Sequence, residues 1–120
     1  MIRPSGHYAL GIRRGQWLFV AGQTGEDAMG RLGDLAEQTA QAIANITEIL
    51  AAHGAGIADV VRMTCFLADI DEFSTFDAAY SRALGGPGGQ TPVRTTVGAN
   101  GLPAGELVEI EATAYLGETT

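Results

Sequence analysis

The chain has 120 residues, 46% of them apolar, which suits one domain (residues 1–120) with a hydrophobic core and is too apolar for a disordered chain. Fourteen Asp and Glu stand against seven basic residues, all Arg, for a net charge of −7. Phosphate backbones and anionic lipids are held by clustered cations, so nucleic-acid and membrane-surface partners are disfavoured.

Cys65 is the single cysteine, which excludes an internal disulfide. With His7 and His53 far apart in the chain, no metal-ligand pattern forms, and no metal is expected. The N-terminus does not read as a signal peptide, and no stretch approaches the roughly 18 apolar residues of a membrane span. A cytoplasmic location is therefore expected.

The predicted elements follow in chain order. Trp17 to Ala21 is a short apolar run that reads as a strand, and Gly25 to Gly33 reads as a loop. Asp34 then caps a helix, with Glu37 completing a capping-box pattern. Leu35, Thr39, Ala42, Ile43, Ile46, Ile49 and Leu50 share one stripe of this helix, which runs to about Ala52 before Gly54 stops it. Asn45 lies beside the stripe, placed to tie the helix to a neighbouring loop. Val60 to Leu67 is a second strand and contains Cys65, read as a buried, inert thiol.

Phe73, Phe76, Ala79, Tyr80 and Ala83 mark a second amphipathic helix, ended by the glycines from Gly85 to Gly89. Those glycines lack the preceding strand, following helix and Lys of a phosphate loop, so no nucleotide cofactor is implied. Thr95 to Ala99 is a third strand, Leu102 to Gly105 a turn, and Leu107 to Tyr115 a fourth strand. Strand–helix–strand–helix–strand–strand predicts one sheet with both helices on one face. In the last strand Val108, Ile110, Ala112 and Ala114 point one way, and Glu109, Glu111, Thr113 and Tyr115 the other. Two helices cover only one face, so the second is expected to pack against further subunits of a closed oligomer.

Five segments carry a resemblance. Gly6-His7-Tyr8 stands where a known family has a glycine-proline-tyrosine turn. Phe19-Val20-Ala21-Gly22-Gln23 stands for its strand ending in Ser-Gly-Gln. Gln38-Thr39 through Asn45-Ile46 and Ile49-Leu50 match its first helix. Pro92-Val93-Arg94-Thr95 and Leu102-Pro103 followed by Val108-Glu109-Ile110-Glu111 match its last two motifs. In this order, with 15 residues from Arg94 to Glu109, the chain resembles the reactive-intermediate deaminase (Rid) family, also known as the YjgF/endoribonuclease L-PSP family.

The resemblance implies a chorismate-mutase-like α/β (α+β) domain, a mixed sheet with two helices on one face, assembled as a homotrimer with intersubunit active sites. It implies an enzyme without cofactor that hydrolyses 2-imino acids or their enamine tautomers to 2-oxo acids and ammonia. Activity of the 2-iminobutanoate/2-iminopropanoate deaminase type is the expectation. The alternatives are a non-catalytic ligand-binding or regulatory protein on the same scaffold, or a hydrolase with another substrate.

Arg94 is the candidate for holding the substrate carboxylate, because its planar guanidinium offers paired donors to both oxygens. Its plain alternative is a structural salt bridge. Glu109 is the candidate for positioning or activating water, since burial raises a carboxylate's pKa. Alternation alone does not separate it from Glu111; the resemblance does. Tyr8 is expected to line the pocket, Gly22 to allow close backbone approach, and Thr96 to offer its backbone N–H. Asp77 stands where many relatives have asparagine near the substrate, and His7 and Ala21 also depart from the family pattern. An aspartate there is expected to repel a substrate carboxylate or select an amine-bearing group.

Overall fold

The structure is a computed structural model that describes residues 2–117. In chain order it contains β1 (Gly11–Arg14), β2 (Trp17–Thr24), α1 (Leu35–Ala52), β3 (Val60–Leu67), α2 (Phe73–Ala83), β4 (Val93–Gly98) and β5 (Val108–Tyr115). Local chemistry explains the first helix. Asp34 Oδ1 accepts from Glu37 N, and Glu37 Oε1 accepts from Asp34 N, both at 2.9 Å, so two otherwise orphaned amides are satisfied. At the far end Gly54 takes a φ of +74°, a left-handed turn that costs glycine little.

Strand boundaries and one element differ from the sequence reading. β2 continues to Thr24, and β4 begins at Val93 rather than Thr95. β1 was not expected: its four residues, Gly-Ile-Arg-Arg, show no apolar alternation, and only pairing with β2 makes them a strand. In α2, Ala83 is exposed and Leu84, just beyond the helix, completes the buried stripe with Phe76, Ala79 and Tyr80.

The sheet order is β1-β2-β5-β3-β4. β3 and β4 pair in parallel, whereas β5 lies antiparallel between β2 and β3. The C-terminal strand therefore sits at the centre of a mixed sheet. Both helices pack on one face. Their stripes, including Ile43, Ile46, Leu50, Phe76 and Tyr80, meet Leu18, Met63, Cys65, Val108 and Ile110 in one core.

The opposite face is not covered by any other element among the described residues. Ile12, Trp17, Phe19, Val93, Val97 and Tyr115 are all exposed there. Trp17 and Tyr115 pack edge to face across β2 and β5, with ring centroids 4.9 Å apart. An apolar sheet face of this extent is unusual for a surface bathed only in water.

Candidate active site

β2 carries a bulge. From Val20 to Gln23 it advances three residues while its partner β5 advances two, from Ala112 to Ile110. The extra residue turns Ala21 and Gly22 out of the ladder beside Glu109. A Cβ on Gly22 would overlap the Glu109 carboxylate, so glycine makes the room that the acid occupies.

This bulge floors a cleft of 720 Å³, whose lining includes Tyr8, Gly22, Gln41, Asn45, Glu106 and Glu109. α1 contributes a polar stripe next to its apolar one. Asn45 Nδ2 donates to the carbonyls of Thr24 and Glu26 at 3.1 and 3.2 Å, and Gln41 Nε2 donates to Asn45 Oδ1 at 2.9 Å. Asn45 thus ties the helix to the loop after β2, as its position beside the stripe predicts. Gln38, 2% exposed, joins the loop before α1 to the segment before β5: its amide donates to Gly33 O at 2.9 Å, and its carbonyl accepts from Leu107 N at 2.8 Å.

At the mouth, the Tyr8 hydroxyl accepts from Ser5 N at 3.1 Å and lies 3.2 Å from Ser5 Oγ. Thr24 Oγ1 donates to Glu106 Oε2 at 3.0 Å. Burial, followed by the charges of Glu106 and Glu111, raises the Glu109 pKa above the ordinary glutamate value. The cleft therefore holds a carboxylate that binds a proton more readily than an exposed glutamate does.

Arg94 lies elsewhere. The register pairs Arg94 with Met63 and Thr96 with Cys65, both buried on the helix side of the sheet. Glu109, by contrast, pairs with Phe66 and Thr24, one step out of phase with that buried set. Of the described residues lining the cleft, none is Arg94, Thr96 or Asp77. The candidates thus fall into two groups within one chain: Tyr8, Gly22 and Glu109 in the cleft, and Arg94, Thr96 and Asp77 at the β4–α2 edge.

At that edge Phe73, Phe76, Asp77 and Tyr80 share one side of α2 and meet Arg94. Its guanidinium carbon is 4.6 Å from the Tyr80 ring centroid, 5.4 Å from that of Phe76 and 5.5 Å from that of Phe73. Arg94 Nη1 donates to Asp77 Oδ1 at 2.8 Å, an ion pair with side chains 22% and 49% exposed. Thr96 Oγ1 is buried without a hydrogen-bond partner among the described residues. Burial pushes the Cys65 thiol up to about 12, despite the nearby Arg94 charge, so it stays protonated and inert. The Tyr80 phenol is likewise raised to about 12, chiefly by burial, and its hydroxyl sits 3.3 Å from Met63 Sδ.

Sequence reasoning did not single out Gln41, Glu48 or Glu106 as cleft residues. Gln41, Asn45 and Glu48 fall at helical spacing, a polar stripe flanking an apolar one, and that spacing was the available signal.

A family model described as endoribonuclease L-PSP matches residues 1–116. The chain is 39% identical to a RutC family protein of Pyrococcus abyssi, over 94% of this chain and 89% of that one. It is 38% identical to the 2-iminobutanoate/2-iminopropanoate deaminase of Bos taurus, over 96% of this chain and 84% of that one. Its fold is similar to that of E. coli TdcF, crystallised with bound serine, with a TM-score of 0.87 and 28% identity, covering 93% of this chain and 90% of that one.

Proposed function

The chain belongs to the endoribonuclease L-PSP (YjgF/Rid) family, and from that premise we propose that it hydrolyses 2-imino acids, or their enamine tautomers, to 2-oxo acids and ammonia. The observation that carries this reading is Glu109, a carboxylate of raised pKa seated against Gly22 in a cleft that Tyr8 borders. In this reading Arg94 holds the substrate carboxylate through its forked donors. Glu109 accepts a proton from water as the water oxygen bonds to the C=N carbon. It then passes that proton to the nitrogen of the carbinolamine. The C–N bond breaks as the hydroxyl proton passes through Glu109 to the departing nitrogen, leaving a carbonyl, releasing ammonia and restoring the carboxylate. No cofactor takes part.

The separation of Arg94 from the cleft supports a site completed between subunits, in which one chain supplies Arg94 and its neighbour Glu109. The apolar sheet face with Trp17, Phe19 and Tyr115 supplies a surface for that association, and a homotrimer is the assembly proposed. A ribonuclease would need to hold a polyanion. Here Glu26, Asp27, Glu48, Glu106 and Glu109 line the cleft against Arg3.

The deciding experiment is ammonia or 2-oxo acid release from enzymatically generated imines, with Arg94→Ala alongside. Loss of turnover in a correctly assembled Arg94→Ala variant is expected, and wild-type turnover in it rejects the assigned role. The Asp77 pair favours one second reading, a ligand-binding protein without turnover, because Arg94 already has an anionic partner. Saturable binding of 2-oxobutanoate with no ammonia released from any imine would select it.

A further inference from the structure

We infer that Asp77 is a specificity-determining residue: its carboxylate occupies the Arg94 guanidinium and competes with an incoming substrate carboxylate for it. The inference rests on the reading of Arg94 as the carboxylate holder and deepens it.

The geometry separates competition from simple support. Arg94 is already oriented without Asp77. It springs from the β3–β4 ladder, and its guanidinium lies near the rings of Tyr80, Phe76 and Phe73. Asp77 adds a single bond, Nη1 to Oδ1 at 2.8 Å. Among the described residues it is the one carboxylate within ion-pair reach of Arg94. Its own side chain is 49% exposed, so it is free to turn into water when another acid arrives. A half-exposed, single-bond pair is weak, whereas a carboxylate meeting both arms of the guanidinium fork is a stronger partner. Asp77 thus lowers affinity without closing the site: bound acid must displace it or share the charge with it.

This sets a direction. With Asp77 in place, the charge that would draw a monocarboxylate is neutralised locally. With asparagine there, size and hydrogen bonding persist while the competing charge is gone. A supporting residue would act in the opposite sense, because its loss would leave Arg94 less well held.

The test is calorimetric titration of the intact protein with 2-oxobutanoate, alongside steady-state imine hydrolysis, for wild type, Asp77→Asn, Asp77→Ala and Arg94→Ala. Both Asp77 variants are expected to bind 2-oxobutanoate roughly fivefold more tightly at low salt, the scale of an exposed ion pair. The gain shrinks in high salt, KM falls in parallel, and kcat changes little. Two variants of different shape guard against a local packing artefact in either. Unchanged or weakened binding in folded Asp77 variants overturns the inference, and if Arg94→Ala still abolishes binding, the carboxylate-holding role stands. Arg94→Ala binding 2-oxobutanoate like wild type overturns both. Tightened binding in Asp77→Asn without turnover in any protein preserves the inference and removes the deaminase reading.

Discussion

Gly22 and Glu109 compete for one small volume: a Cβ at Gly22 would overlap the Glu109 carboxylate, and the bulge in β2 brings the two together. Gly22→Ala is therefore expected to push the acid off its position. A displacement of about 1 Å at a reacting group costs roughly a hundredfold in rate. Ammonia release should fall on that scale while circular dichroism and oligomeric mass stay at wild-type values. A Gly22→Ala enzyme with full turnover would show that the position of Glu109 does not matter to the reaction.

Glu109→Gln preserves the shape of the side chain and removes its base. Turnover should drop by roughly 10²- to 10⁴-fold, the range of a lost general base. In wild type, activity should rise with pH through the Glu109 titration, whose midpoint lies above the ordinary value of 4.5 because of burial, Glu106 and Glu111. The stability effect has a defined sign. A carboxyl whose folded pKa is raised contributes stability below its unfolded pKa and loses it as pH rises through the folded one. Glu109→Gln should thus unfold at a higher temperature than wild type at neutral pH. That advantage should shrink as the pH is brought below 4.5. Thermal melts at both ends of the range check the sign.

Arg94→Ala and Glu109→Gln offer a complementation test. If each site takes Arg94 from one subunit and Glu109 from the next, co-refolding the two inactive variants creates interfaces where both side chains are intact. Partial activity should then return. Mixtures that remain inactive, although mass measurements show mixed oligomers, place both residues in one chain's site.

Phe19, on β2, is 48% exposed on the uncovered sheet face. Phe19→Glu should shift the solution mass to that of the monomer and abolish turnover, with secondary structure retained. An assembled, active Phe19→Glu protein counts against this face as the subunit contact.

Gln38→Leu removes the amide that bridges Gly33 O and Leu107 N. Losing these two part-buried hydrogen bonds costs about 0.5–1.5 kcal/mol each. Denaturant unfolding should show a lower midpoint with an unchanged slope.

Features that depend on near neighbours were legible in the sequence. The capping pair Asp34 and Glu37 stands three residues apart, and the α1 stripe repeats within single turns, so both helix start and buried face were legible. The alternation of Val108, Ile110, Ala112 and Ala114 against Glu109 and Glu111 likewise follows from strand geometry, and the structure buries the first set. The motif set also carried the family. Tertiary structure alone decided what depends on pairing between distant segments. β1 exists only because Gly11 to Arg14 find β2, and β5 enters the middle of the sheet rather than its edge. The register of Met63 with Arg94 sends that arginine to the helix side, whereas the pairing of Phe66 with Glu109 keeps the acid out of phase with the buried set. Asp77 and Arg94, 17 residues apart, meet because α2 packs across β4. Periodicity is a property of one element, whereas register, strand order and salt-bridge partners are set by how elements bury their apolar faces together.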